Sequence, residues 1–248
     1  MRYLVLSDIH ANIDALDAVL DAAVPGSYDD MVVLGDLVGY GAEPNLVVAR
    51  VRALSPAAIV RGNHDKVAAG LESAEGFNPT AQQSATWTRN AISEDTRAYL
   101  AALPQGPRVL DDLVEICHGS PVDEDTYIFG ELDVAEALSA AHRPVCLFGH
   151  THLPAAAALG VDRSLDVLFH GARDEQRITF AEDRRYLVNP GSVGQPRDGD
   201  PRAAYAILDT AAREIVIRRV AYSVAQARDR ILAAGLPKPL AMRLMHGR

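Results

Sequence analysis

Five short stretches of the chain carry side chains suited to holding metal ions. They read Asp8-Ile9-His10, Gly35-Asp36-Leu37-Val38-Gly39, Arg61-Gly62-Asn63-His64-Asp65, His118-Gly119-Ser120-Pro121 and Gly149-His150-Thr151-His152. Carboxylate, carboxamide and imidazole donors without thiolate suit Mn, Fe, Zn or Co rather than a Cys-rich structural zinc. On extended backbone, side chains at i and i+2 share a face, so Asp8 with His10 and His150 with His152 are expected to converge on one ion. Gly35 and Gly62 precede their ligands and are read as allowing the backbone to turn sharply. Singly, each motif has a bland reading as a helix cap, a turn or a core histidine. A given tetrapeptide such as Gly-Asn-His-Asp, however, is expected only about once in 10⁵ positions at ordinary residue usage. His142, His170 and His246 lie outside these motifs and are read as structural or solvent-facing.

Positioning such groups requires elements that end together. Tyr3 to Leu6, Met31 to Leu34 and Ala57 to Val60 read as strands, alternating with helices over Asn12 to Ala23 and Pro44 to Leu54. This alternation calls for parallel strands with helices packed on the sheet, and functional groups in such sheets gather beyond the carboxyl ends of the strands. The rhythm breaks over Lys66 to Leu103, read as a helical insertion at about 66–107 with helices at Pro79 to Asn90 and Glu94 to Leu103. Strands follow at Val109 to Cys117 and Val145 to Phe148, with a helix at Leu132 to Ala141 between them. The second half is richer in strands, at Ala155 to Leu159, Leu165 to His170, Arg177 to Phe180, Ala203 to Leu208 and Glu214 to Val220; the last two form an antiparallel hairpin. A helix over Val224 to Ala234 stops at Gly235 and Pro237. With no repeat, linker or low-complexity segment, residues 1–248 are expected to form one domain of α/β (α+β) class.

Composition narrows the function. The 248 residues are 48% hydrophobic and 23% charged, with 24 Lys plus Arg against 33 Asp plus Glu and a formal charge of −9. That balance disfavours nucleic acid and anionic membrane as partners, since both need a basic footprint. Cys117 and Cys146 sit in apolar runs and read as buried free thiols. No signal peptide or membrane-spanning run is read, so a cytoplasmic location is expected.

The motifs, in this order, resemble those of the calcineurin-like metallophosphoesterases: D-x-H, G-D-x-x-G, G-N-H-[DE], H and G-H-x-H. The resemblance spans Asp8 to His152 and extends to Asn189-Pro-Gly-Ser-Val-Gly-Gln-Pro-Arg197, which is similar to the C-terminal portion of small bacterial members. It implies a four-layer α-β-β-α sandwich with two central mixed sheets and two divalent or trivalent metal ions (Mn, Fe, Zn or Co) at one edge. By this resemblance Asp8, His10 and His152 hold one metal, Asn63, His118 and His150 the other, and Asp36 bridges them. The two ions would share a hydroxide that attacks a phosphate monoester or diester, with His64 as general acid or donor to a phosphoryl oxygen.

Two dications against the charges of Asp8 and Asp36 leave the cluster cationic, so a small phosphate ester is drawn in despite the acidic chain. Protein phosphatases of this superfamily carry Asp-Arg where Gly39-Tyr40 stands here, and the missing clamp argues against protein substrates. Asp65 would orient His64 only with its side chain turned inward. Asn12, Tyr40, Arg61 and Arg197 are candidates for substrate contact. Phe77, Trp87 and Arg89 of the insertion are candidates for a pocket wall, with Trp87 favoured as core packing. The alternative function is a non-catalytic protein-binding scaffold on the same fold, which the complete ligand set argues against. Nothing in the sequence selects the ester or sets the oligomeric state.

Overall fold

The computed structural model describes residues 1–24 and 26–248. Two six-stranded mixed sheets lie face to face. The first has the order β3(Ala58–Ile59), β2(Asp30–Val33), β1(Arg2–Leu6), β11(Ala203–Asp209), β12(Glu214–Val220), β9(Glu175–Thr179). The second runs β4(Arg108–Val109), β5(Val114–Ile116), β6(Val145–Leu147), β10(Arg184–Asn189), β7(Ala155–Gly160), β8(Leu165–His170). Parallel pairs occupy the part of each sheet that faces the site: β1 with β2 and β2 with β3 in the first, β5 with β6 and β6 with β10 in the second.

Strand alternation sorts side chains into three apolar layers. Val5, Val32 and Leu34 of the first sheet meet Val114, Ile116, Val145 and Val188 of the second between the sheets. On the outer face of the first sheet, Leu4, Leu6, Met31 and Val33 receive Leu16 and Val19 of α1(Ile13–Ala22) and Val47, Val48 and Val51 of α2(Pro44–Leu54). Outside the second sheet, Cys117, Cys146 and Leu187 pack on Ala137 and Leu138 of α6(Glu131–Ala140). Helix, sheet, sheet and helix are the four layers expected.

The insertion carries α4(Pro79–Ala91) and α5(Glu94–Ala101), both near their expected bounds. Several local expectations are corrected. Val109 to Cys117 is two strands, because Asp111 folds back to accept from the backbone N–H groups of Leu113 and Val114 and makes a hairpin of β4 and β5. A helix α3(Asn63–Ala69), the strand β10 and a terminal helix α8(Lys238–Leu244) are additional. Both cysteines are buried free thiols, with sulfurs 3.6 Å apart. His142, His170 and His246 are exposed. Among the described residues no helix is long and apolar enough to cross a membrane.

Candidate metal centre

The five motifs meet at one edge of the sandwich, each just beyond a strand: Asp8 and His10 after β1, Asp36 after β2, Asn63 after β3, His118 after β5, and His150 with His152 after β6. The backbone that brings them together is not extended. Asp8, His10, Asp36, His150 and His152 have φ of 52°, 49°, 53°, 66° and 61°, in the left-handed region that costs a residue with a Cβ about 1 kcal/mol or more. The same-face argument for i and i+2 therefore does not apply. Cross-loop hydrogen bonds hold the turns instead: the backbone N–H groups of Asp8, His10 and Ala11 donate to Gly35, Asp36 and Leu37 carbonyls at 3.1, 3.0 and 2.8 Å.

The glycines divide into two kinds. Gly35, at φ +95°, supplies a conformation a larger residue resists. Gly62 has φ −103°, which any residue adopts, and its role is space: a Cβ there would lie 2.0 Å from Asp36 Oδ1. Gly149 is similar, with Ser7 Oγ at 2.1 Å from the site of a Cβ.

The donor atoms form two groups that share Asp36. Asp8, His10, Asp36 and His152 make one, and Asp36, His118 and His150 the other, each with its ligand atoms within 4.8 Å of one another. All of these residues are buried. Asn63 joins the second group through Oδ1, 3.3 Å from His118 Nε2.

Each of the four clustered imidazoles gives one N–H to a backbone carbonyl. His10 Nδ1 donates to Val38 at 3.0 Å, His118 Nδ1 to Leu34 at 2.8 Å, His152 Nδ1 to Gln195 at 2.7 Å, and His150 Nε2 to Asp125 at 3.0 Å. This fixes the opposite nitrogen as the one turned inward. Those inward nitrogens face one another, His10 to His152 at 3.0 Å and His118 to His150 at 3.1 Å.

Asp36 Oδ1 accepts the His64 backbone N–H at 2.9 Å, while Oδ2 is buried with no hydrogen-bond partner, 3.5 Å from His10 Nε2 and 3.4 Å from His118 Nε2. An orphaned carboxylate oxygen between converging acceptors fits a cation and little else. Burial keeps His10 and His152 well below the ordinary imidazole value and His150 at about 3, so all three are neutral, as coordination demands. For His118 burial also lowers the pKa, but the Asp36 and Asp8 carboxylates push it up to about 10; a metal would take the place of that proton.

His64, in α3, is buried beside the cluster with its ring 5.0 Å from His10, 4.3 Å from Tyr40 and 4.7 Å from Phe77. Its Nδ1 has no partner. Asp65 does not turn toward it: its two oxygens accept the backbone N–H groups of Val38 and Gly62, capping α3.

Two substrate-contact candidates reach the cluster. The Tyr40 ring lies tilted against His10 at 4.6 Å, and Arg197 lies over the Tyr40 ring at 5.7 Å with Nη2 3.4 Å from the Tyr40 hydroxyl. Two do not. Arg61 is spent in a two-pronged pair with Glu124 at 2.8 and 3.1 Å. Asn12 caps α1 by accepting from Ala15 N, and its amide donates to the Gly194 carbonyl. Both lose the role to fully used donors. Of the insertion residues Phe77 lines the site cleft, whereas Trp87 packs with the α7(Val224–Ala233) and α8 cluster, and Arg89 stays at the surface.

Sequence reasoning missed the support on the far side. Tyr127 stacks on His150 at 3.8 Å. Lys66, 2% exposed, bridges Glu72, Glu124 and Asp125 at 3.1, 3.1 and 2.6 Å and so fixes the loop whose Asp125 carbonyl orients His150. Lys66 adjoins Gly-Asn-His-Asp and carried a readable signal, but nothing marked Tyr127.

The model of the calcineurin-like phosphoesterase superfamily domain matches residues 1–213. A solved metallophosphoesterase from Sphaerobacter thermophilus is 38% identical with a TM-score of 0.86, covering 100% of this chain and 99% of that one. Protein MJ0912 of Methanocaldococcus jannaschii is 34% identical over 98% of this chain and 97% of its own length. Phosphodiesterase YfcE of Escherichia coli is 26% identical over 84% and 88%. A metal-binding site of Asp and His residues at the strand ends of a double-sheet sandwich, together with these matches, places the chain in the calcineurin-like phosphoesterase superfamily.

Proposed function

We propose that residues 1–248 act as one domain that hydrolyses small phosphate diesters or monoesters with two metal ions. The observation that carries this reading is Asp36 Oδ2, buried, without a hydrogen-bond partner and 3.5 and 3.4 Å from the inward nitrogens of His10 and His118. Asp8, His10 and His152 would hold one ion and Asn63, His118 and His150 the other, with Asp36 shared between the two groups. Bound there, Mn, Fe, Zn or Co supplies a nucleophile from water at neutral pH and offsets charge on the phosphoryl oxygens.

The chain's own residues do the rest. Asp8 is locked by Ser7 Oγ at 2.6 Å and the His150 backbone N–H at 3.2 Å, and His10 and His152 by their carbonyls, so the ligands need no reorganisation. Arg197 is the cation facing the cluster; its charge is felt by Asp8, His10, His64 and His152, and among the described residues no carboxylate pairs with it. It is placed to bind a phosphoryl oxygen, with Tyr40 beneath it, and so stands in for the Arg that Tyr40 replaces in sequence.

His64 is held at about 4 by burial. An anionic ester laid against it counteracts that burial and lets it carry the proton to the leaving oxygen.

The test is a hydrolysis panel with protein loaded with each metal, using bis-p-nitrophenyl phosphate and p-nitrophenyl phosphate. Asp36→Asn is expected to lose metal and turnover together. His64→Ala keeps the metal and loses about 10²-fold or more in kcat. Absence of turnover with every metal would refute the hydrolase, and an unchanged His64→Ala rate would remove that residue's role.

A further inference from the structure

Residues 214–248 lie beyond the family model, and α7 and α8 come from them. Ala227 and Ile231 of α7 and Leu240, Ala241 and Leu244 of α8 are buried in one apolar cluster with Tyr40. Tyr40 thus belongs both to that cluster and to the site, where its ring adjoins His10 and His64 and its hydroxyl lies 3.4 Å from Arg197 Nη2. Beyond α8 the chain reaches the loop that carries Arg197. Gly247 is buried although His246 and Arg248 on either side are exposed, and its carbonyl accepts the Gly199 backbone N–H at 2.9 Å. A Cβ on Gly247 would lie 2.6 Å from the N, C and O atoms of Asp200, so the backbone there sits directly on that loop.

We infer that α7, α8 and Gly247 position the Arg197 guanidinium and with it the grip of the site on a phosphoryl group. The inference rests on the phosphoesterase reading above and deepens it by naming what aims its phosphate contact. Among the described residues the guanidinium bonds only neutral oxygens, the Tyr40 hydroxyl and Gln195 Oε1 at 3.4 Å each and the Tyr127 hydroxyl. Bonds of that length are weak. The place of the guanidinium is therefore set by the backbone that carries it and by the Tyr40 ring it lies over, and the C-terminal segment touches both. The metal ligands are fixed by other parts of the chain. The carbonyls that orient His10, His118, His150 and His152 belong to Val38, Leu34, Asp125 and Gln195, none of them in that segment. Gly247 is thus a positioning residue whose replacement loosens phosphate and spares the metals.

The experiment is Gly247→Ala in the full chain loaded with Mn. The added Cβ meets backbone atoms, which have no rotamer to turn aside, so residue 247 and the loop at Asp200 must part. The dissociation constant of inorganic phosphate, measured by titration calorimetry, is expected to rise about tenfold, the loss of one hydrogen bond between charged groups. KM for p-nitrophenyl phosphate is expected to rise with it while kcat holds, because the contact is made in the ground state as in the transition state. Chelator competition is expected to show unchanged metal affinity. Gly247→Asn tolerates the φ of +59° found here but brings the same Cβ, and is expected to behave like Gly247→Ala. In an Arg197→Ala background Gly247→Ala is expected to add no further loss of phosphate affinity. Wild-type phosphate affinity in both Gly247 variants overturns the inference and leaves the hydrolase standing. So does a loss that adds in full to that of Arg197→Ala, or one that carries metal affinity with it. Wild-type protein that neither binds phosphate nor turns over an ester with any metal overturns the hydrolase and the inference together.

Discussion

Gly62→Ala isolates the one feature on which the cluster most depends, the position of Asp36. The substitution costs nothing in backbone conformation, because φ at 62 is −103°, and it removes no side-chain hydrogen bond. What it adds is a methyl group 2.0 Å from Asp36 Oδ1, 2.6 Å from its Cγ and 2.5 Å from its backbone nitrogen. Relief to even 3.0 Å requires about 1 Å of movement, and metal sites tolerate ligand displacements of about 0.2 Å. Asp36 has little room to yield: it is 1% exposed, and Oδ1 is tied to the His64 backbone N–H at 2.9 Å. The expected result is a stability loss of about 1–3 kcal/mol, the usual cost of overpacking. Metal affinity is expected to fall at least about 10–100-fold, as when a neighbour that holds a ligand is disturbed. Urea denaturation measures the first, and chelator competition with Mn or Zn measures the second. A folded variant that binds metal as tightly as the wild type would refute the bridging position of Asp36, since no other group is displaced to the same degree.

Other consequences are separable. Arg219 and Asp198, the residue after Arg197, form an ion pair with both side chains 1% exposed. Arg219→Met strands the carboxylate and is expected to cost about 3–5 kcal/mol in urea denaturation, most of it recovered in the R219M/D198N double variant. Arg197→Ala is expected to raise the Ki of inorganic phosphate about tenfold or more while chelator competition shows unchanged metal binding, as fits the loss of a hydrogen bond between charged groups.

Acid lability should trace in part to Glu124. Burial favours its neutral form, but Arg61 and Lys66 outweigh burial and hold it below its ordinary 4.5. Its contribution is therefore full above 4.5 and is lost as the pH falls through the lower folded value. The wild-type melting temperature should drop more than that of Glu124→Gln on acidification through this window, and equal slopes would count against the pairing.

The parts of this protein that were readable from sequence are those in which chemistry and punctuation coincide. The seven proposed ligands follow strand ends because a strand must stop for its next residue to leave the sheet, and Gly, Asp and His at those stops are visible without coordinates. Helix α2 and strands β8 and β12 fell at their expected bounds, marked by Pro44 and by turn residues on either side. What was not readable depends on partners distant in the chain. The left-handed backbone at Asp8, His10, His150 and His152 looks extended on paper, because L residues enter that region only when loops brought together by the fold bond to them, as Gly35, Asp36 and Leu37 do here. Arg61 and Arg197 were equivalent candidates in sequence. The fold separates them by placing Glu124 against the first and only the Tyr40 ring and neutral oxygens against the second.

That separation bears on how the site selects its ester. The guanidinium that is already neutralised serves as a strut. The other, which no carboxylate among the described residues pairs, lies over the Tyr40 ring beside the cluster and keeps its charge for a ligand that arrives from solvent. The cleft beyond has no such charge and is edged by two rings and two carboxylates. The positive charge that side chains offer an incoming ligand is thereby gathered at one end of the site. This asymmetry follows from where the cations are spent, and it is absent from the seven proposed ligands themselves.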